Sequence, residues 1–234
     1  MITIRKSEER GHSDKGWVDS YHTFSFDSYK DPAHMGFRSL RVLNDDRVTA
    51  GRGFGAHAHR DMEILSYVLD GKLAHKDSMG HGEVLGPNEI QRMSAGKGVV
   101  HSEFNGSESD PVRFLQIWIV PKITGVEPEY EQVKFDPEEK RNRFKLLASG
   151  EEAPGAVRIR QDARMFVAEL TSGTELEHRL AAARFAWVHV VKGTVRCNNQ
   201  ALGAGDACAI EQELELKIVG SGPDAAEVLL FDLA

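Results

Sequence analysis

The segment Gly53-Phe54-Gly55-Ala56-His57-Ala58-His59 sets two imidazoles two residues apart, and His101-Ser102-Glu103 sets an imidazole and a carboxylate at the same spacing. Side chains at i and i+2 of a strand share a face, so each pair can present both groups to one barrel interior. Three imidazoles and a carboxylate converging there would hold a divalent transition metal with coordination positions left open. Glu63 has the same strand parity as His57 and His59. Spacing alone therefore leaves two carboxylates, Glu63 and Glu103, as candidates for the fourth ligand.

The elements that must position these groups read as short strands and tight turns. Ile64 to Leu69 ends at Asp70-Gly71, and Lys72 to His75 resumes behind it; Phe114 to Val120 is closed by Pro121. Ala186 to Val191 ends at Lys192-Gly193, with Thr194 to Cys197 following. Such spacing predicts an all-β sandwich or barrel. One short helix is expected at Asp136-Pro137-Glu138-Glu139, where an aspartate cap, a first-position proline and a glutamate three residues on form a capping box. The pattern also repeats. Ile64–Gly71, a strand, Gly86-Pro87-Asn88-Glu89 and the run from Ile90 match Trp187–Gly193, a strand, Gly203-Ala204-Gly205-Asp206 and the run from Ala207. Each copy ends in an apolar strand, Phe114–Ile119 in one and Val228–Leu233 in the other. Two β domains in tandem follow, 1–133 and 134–234, divided in the charged stretch around 134–145.

Composition narrows the function classes. There are 29 basic and 36 acidic residues, a net charge of −7, which argues against a protein that coats nucleic acid or an anionic membrane. Hydrophobic residues at 41% and charged residues at 28% are ordinary globular values. Cys197 and Cys208 lie in no Cys-x-x-Cys motif and read as buried or semi-buried free thiols in a reducing compartment. No apolar run approaches the ~20 residues needed to cross a bilayer, and the opening Met1-Ile2-Thr3-Ile4-Arg5-Lys6 has no signal-peptide character. A soluble, cytoplasmic protein is expected. His22 reads as a packing histidine, and His75 and His81, beside turn glycines and charges, as solvated. His178 has no His-x-His partner, and no histidine follows His189, so the second domain is expected to be metal-free. Lys140, Arg141, Arg143 and Lys145 read as a solvated face.

The chain resembles the pirin family of the cupins. Gly51-x5-His57-x-His59-x3-Glu63 matches the opening of the first cupin motif and His101-x3-Asn105 the end of the second. Two departures, a motif-closing Gly71 one residue late and a second motif without its proline, are themselves pirin-like. The likeness extends through His22-Thr23-Phe24-Ser25-Phe26, Leu40 to Asp46, Asp61-Met62-Glu63-Ile64, Asp77-Ser78-Met79-Gly80 and Gln116-Ile117-Trp118-Ile119. It implies a bicupin: two tandem antiparallel β-barrel (jelly-roll) domains with few short helices. It also decides the fourth ligand: in pirins this is the glutamate two residues after the last histidine. The implied metal set is His57, His59, His101 and Glu103, with Glu63 in a supporting role.

Bacterial pirins of this kind resemble quercetin 2,3-dioxygenases. The implied activity is O2-dependent ring opening of a flavonol such as quercetin with release of carbon monoxide. Glu103 would be the catalytic base and Phe54 part of an apolar wall for the flat substrate. One divalent metal is expected, Fe(II) first, with manganese, cobalt, nickel, copper or zinc as alternatives. The rival expectation is an iron-containing, redox-sensitive regulatory module that binds a protein partner, as pirins of higher organisms resemble transcriptional co-regulators. Direct nucleic-acid binding and membrane association are not expected.

Overall fold

The structure, a computed structural model, describes residues 1–234 and is all-β. Its helical content is two single 3-10 turns, Ser7–Glu9 and Pro137–Glu139. The second is the expected short helix: the Asp136 carboxylate accepts from the Glu138 amide at 2.9 Å, and the Glu139 carboxylate accepts from the Asp136 amide at 3.0 Å. No helix is long and apolar enough to cross a membrane.

The chain forms two compact units. The first comprises residues 11–135 and 151–161, the second residues 1–10, 136–150 and 162–234. Neither unit is one continuous stretch of chain. Ile2–Arg5 pairs antiparallel with Ala207–Ile210 in the register Ile2↔Ile210 to Arg5↔Ala207, so the opening strand completes the second unit. Residues 151–161 return to the first unit, where the Arg160 carbonyl accepts from the Lys122 amide at 2.7 Å and the Glu131 carboxylate accepts from the Arg158 amide at 2.8 Å. Both links join residues far apart in sequence, which local composition does not reveal.

In the first unit a seven-stranded sheet runs in the order Glu129–Lys134, Glu89–Ser94, Glu63–Asp70, Val112–Ile119, Leu40–Val48, Val18–His22 and Gly11–Asp14. A second sheet has the order Gly53–His59, Val99–Asn105, Leu73–Asp77 and Val84–Leu85. The second unit repeats the plan. Ile2–Arg5, Ala207–Ile210, Phe185–Lys192, Ala226–Leu233, Ala163–Leu170 and Lys145–Ser149 form one sheet; Glu175–Arg179, Glu215–Gly220, Thr194–Cys197 and Gln200–Gly203 form the other.

The strand patterns explain the sheets. Val99–Asn105 alternates strictly, with Val99, His101, Glu103 and Asn105 buried and Val100 and Phe104 exposed. Ala226–Leu233 lies between Phe185–Lys192 and Ala163–Leu170, and all eight of its residues are buried: six are apolar, and the two carboxylates, Glu227 and Asp232, are paired with Lys140 and with Arg164 and Arg184. The two turn glycines are required by geometry. Gly71 has φ 79° and Gly193 φ 73°. An added Cβ would lie 2.6 Å from the Pro111 carbonyl at the first and 2.7 Å from the Ala226 Cα at the second.

Candidate metal centre

Strand Val99–Asn105 lies between Gly53–His59 and Leu73–Asp77 and brings the sequence motifs together. Toward the first neighbour His101 pairs with His57, and an irregularity after it sets Glu103 opposite Phe54. Toward the second the register is straight, with His101 opposite Asp77 and Glu103 opposite His75. The ring centroids of His57, His59 and His101 lie 4.7, 4.4 and 4.9 Å apart in their three pairs.

The hydrogen bonds show which lone pairs are available. His57 Nδ1 donates to the Gly55 carbonyl at 2.8 Å, which fixes the tautomer that leaves Nε2 unprotonated. The His59 ring packs edge-on against Trp118, with centroids 4.9 Å apart. His101 is only 2% exposed, yet neither ring nitrogen has a hydrogen-bond partner. Leaving a buried polar atom unsatisfied costs about 1–3 kcal/mol, so such a ring is anomalous unless it ligates something. Burial and the neighbouring imidazoles push the His59 pKa down to about 4 and that of His101 to about 2. Both rings are neutral at ordinary pH, the state a metal requires.

Glu103 is equally buried. Its Oε1 accepts from Ser66 Oγ at 2.9 Å and its Oε2 from Gln116 Nε2 at 2.6 Å. Burial pushes its pKa up, opposed by these two donors and by His75 and His57. Two groups of donor atoms, each within 4.8 Å of one another, share His101: His57 with His59, and His75 with Glu103.

His75 corrects the expectation of a solvated side chain. It is 2% exposed, because Leu73, His75 and Asp77 alternate inward. Its Nε2 donates to Asp77 Oδ2 at 3.0 Å, and its Nδ1 accepts from Gln91 Nε2 at 3.2 Å. Both nitrogens are therefore engaged, in contrast to those of His101. His81 is half-exposed; its Nδ1 lies 3.0 Å from Asp77 Oδ2, and its ring stacks on Tyr130. Glu63 joins neither donor group: it is buried against Ser94, whose Oγ donates to it at 2.5 Å. His22 is buried as expected, and burial lowers its pKa. In the basic cluster Lys140 overturns the reading of a solvated face: it is 8% exposed and pairs with Glu227 at 2.7 Å, a partner distant in sequence.

A cleft leads to His57, His59 and Glu103. Its apolar walls include Val18, Phe26, Phe54 and Trp118. Its polar floor went unnoticed in the sequence. His22 pairs with Asn44, Asn44 with Gln116, Gln116 with Ser66 and Ser66 with Gln91, a polar row across five strands of the larger sheet. The available signal was a polar residue at an inward position of an apolar strand, as at Ser66 and Gln116. Beside the row, burial pushes the Asp46 pKa up to about 7 although Ser20 Oγ donates to it.

The matching registers show what the second unit has in these places. Val195↔Gly220 corresponds to Leu73↔Asn105, which puts Cys197, Ile218 and Leu216 where the first unit has His75, Glu103 and His101. Val188↔Leu230 and Val188↔Cys208 correspond to Ser66↔Gln116 and Ser66↔Gln91. All six residues are fully buried in one apolar cluster. His178 points elsewhere, bonding Asp232 at 2.9 Å in an ion cluster with Arg164 and Arg184.

Comparison with known proteins shows the family. The family model Pirin matches residues 3–119, half of the chain, and the model for a quercetinase C-terminal cupin domain matches residues 146–233. Quercetin 2,3-dioxygenase of Escherichia coli (strain K12) is 45% identical over 233 residues, covering 100% of this chain and 99% of that protein. The crystal structure of YhhW from Escherichia coli superposes with a TM-score of 0.95 at 44% identity, covering 100% of this chain and 98% of that one. The crystal structure of bacterial pirin YhhW in complex with nickel(II) gives 0.94 at 44% identity, covering 100% and 99%. This chain belongs to the pirin family.

Proposed function

We propose that the protein is a metal-dependent dioxygenase that opens flavonols such as quercetin with O2 and releases carbon monoxide, and that His57, His59, His101 and Glu103 hold its metal. The observation that carries the reading is His101: a buried ring with two unpartnered nitrogens, facing two further imidazoles and a carboxylate at the end of an apolar-walled cleft. The curated name of the 45%-identical relative supports the substrate class. The donor set of three imidazoles and a carboxylate suits Fe(II) and also accepts its first-row neighbours.

When bound, the ion supplies Lewis acidity toward the flavonol 3-hydroxyl and access to O2 chemistry. The residues of the chain do the rest. Phe54 and Trp118 flank the flat ring system and exclude water. Glu103 accepts the 3-hydroxyl proton, and its raised pKa makes it a stronger base than an exposed carboxylate. Ser66 and Gln116 hold its two oxygens, so the carboxylate is already oriented when substrate arrives. The second unit, with aliphatic side chains or cysteines at the equivalent positions, is a structural, metal-free domain. The test is aerobic incubation of Fe(II)-loaded protein with quercetin, following loss of visible absorbance and release of carbon monoxide. Metal-dependent bleaching with carbon monoxide supports the proposal; retained colour with full metal content overturns it.

A further inference from the structure

The second unit places two thiols where the first has the hydrogen-bonded pair His75 and Gln91. Cys197 ends strand Thr194–Cys197 in the smaller sheet, and Cys208 lies on Ala207–Ile210 in the larger. Both are free and fully buried, and the Cys208 thiol donates to the Cys197 sulfur at 3.2 Å. A disulfide needs about 2.05 Å between sulfurs, so closure requires a movement of roughly one ångström. We propose that Cys197 and Cys208 form a reversible, peroxide-driven disulfide that ties the two sheets of this unit together.

The surroundings set how the reaction runs. By register Cys208 is bordered by Val188 and Ile4 and Cys197 by Ile218, and the Cys197 sulfur together with burial pushes the Cys208 pKa up, so that thiol is protonated and quiet at rest. Cys197 nevertheless stands directly before the tight turn Asn198-Asn199, whose φ angles of 41° and 72° form the tip of a hairpin closed by Gln200. Hairpin tips open locally without global unfolding, and a peroxide is small enough to use that opening. The Cys197 sulfur attacks one peroxide oxygen: an S–O bond forms, the O–O bond breaks and water leaves. The Cys208 sulfur then attacks Cys197: an S–S bond forms, the S–O bond breaks, and hydroxide leaves as water with the Cys208 proton. Two thiols lose two electrons and one peroxide becomes two waters. The product closes a short loop and holds the unfolded chain more tightly than the dithiol does.

The test is hydrogen peroxide treatment of the full chain, with intact mass, thiol alkylation under denaturing conditions and a non-reducing peptide map. The expected product has lost two hydrogens and both alkylatable thiols and yields one peptide linked through Cys197 and Cys208. Its melting temperature is higher, and dithiothreitol reverses every change. Cys208→Ala, which leaves no partner and adds no polar group to the core, should give neither linked peptide nor rise in melting temperature. Two intact thiols after peroxide, oxidation to sulfinic acids without a link, or a link between chains would each overturn the proposal.

Discussion

Gln116→Leu isolates what the polar floor does for Glu103. The Gln116 amide donates to Glu103 Oε2 at 2.6 Å, with the side chain 8% exposed. A buried hydrogen bond to a charged group contributes about 1.5–3 kcal/mol, or roughly one to two pKa units. The donor favours the carboxylate form, so its loss raises the Glu103 pKa further. The base works deprotonated, so activity is lost as pH falls through that pKa. The acidic limb of kcat/KM should therefore move about one to two pH units upward, with the loss of activity growing to roughly 10- to 100-fold at pH values below the parent's limb. Leucine is close in size, and Leu230 occupies the matching place in the buried core of the second unit. Ser66 keeps its own bond to Glu103. The assay pairs the pH profile of quercetin bleaching with elemental analysis of the same samples. An unmoved limb, or loss of metal in step with activity, would refute the role given to this hydrogen bond.

Four further outcomes follow from the structure. Purified protein should carry about one metal per chain, and His101→Ala should largely abolish it; full occupancy of the variant by elemental analysis would remove His101 from the ligand set. Glu63→Gln should leave metal content and activity within about ten-fold, since its carboxyl reaches Ser94 and neither donor group; a larger loss than in Glu103→Gln would reverse their roles. In metal-free protein the Asp46 pKa, raised to about 7, makes its stabilising protonation fade as pH rises from the unfolded value near 4 through 7. Asp46→Asn should gain on the parent by on the order of 2–3 kcal/mol between about pH 5 and pH 8 in urea titrations, and a pH-independent difference would contradict this. Deleting residues 228–234 removes most of a fully buried central strand, so the product should be insoluble; a soluble variant melting like the parent would contradict the fold.

Local patterns carried the metal motif and the strand repeat into view. The pairing of His57 with His59 and of His101 with Glu103 was readable because strand parity acts over two residues, and Asp136 because capping acts over three; the preference for Glu103 over Glu63 came from the pirin resemblance alone. His75 was misread because flanking glycine and charge suggested solvent, while its burial depends on Asp77 and Gln91 approaching from their own positions in the fold. The row from His22 to Gln91 takes one residue from each of five strands, so no segment contains it. Lys140 likewise needs Glu227, 87 residues away, to be a buried ion pair. What the sequence concealed was pairing across distance.

The strand Ile2–Arg5 has a consequence for biosynthesis. It leaves the ribosome more than 200 residues before Ala207–Ile210, the strand it must join. Until then its apolar side chains, Ile2 and Ile4, have no sheet to cover them, while residues 11–135 can already collapse around their own core. A nascent chain stalled before residue 207 would thus carry a folded body with a loose, sticky leader, a natural site for a chaperone to hold. Emergence of residues 207–210 lets the earlier segment join the strand made some 200 residues after it.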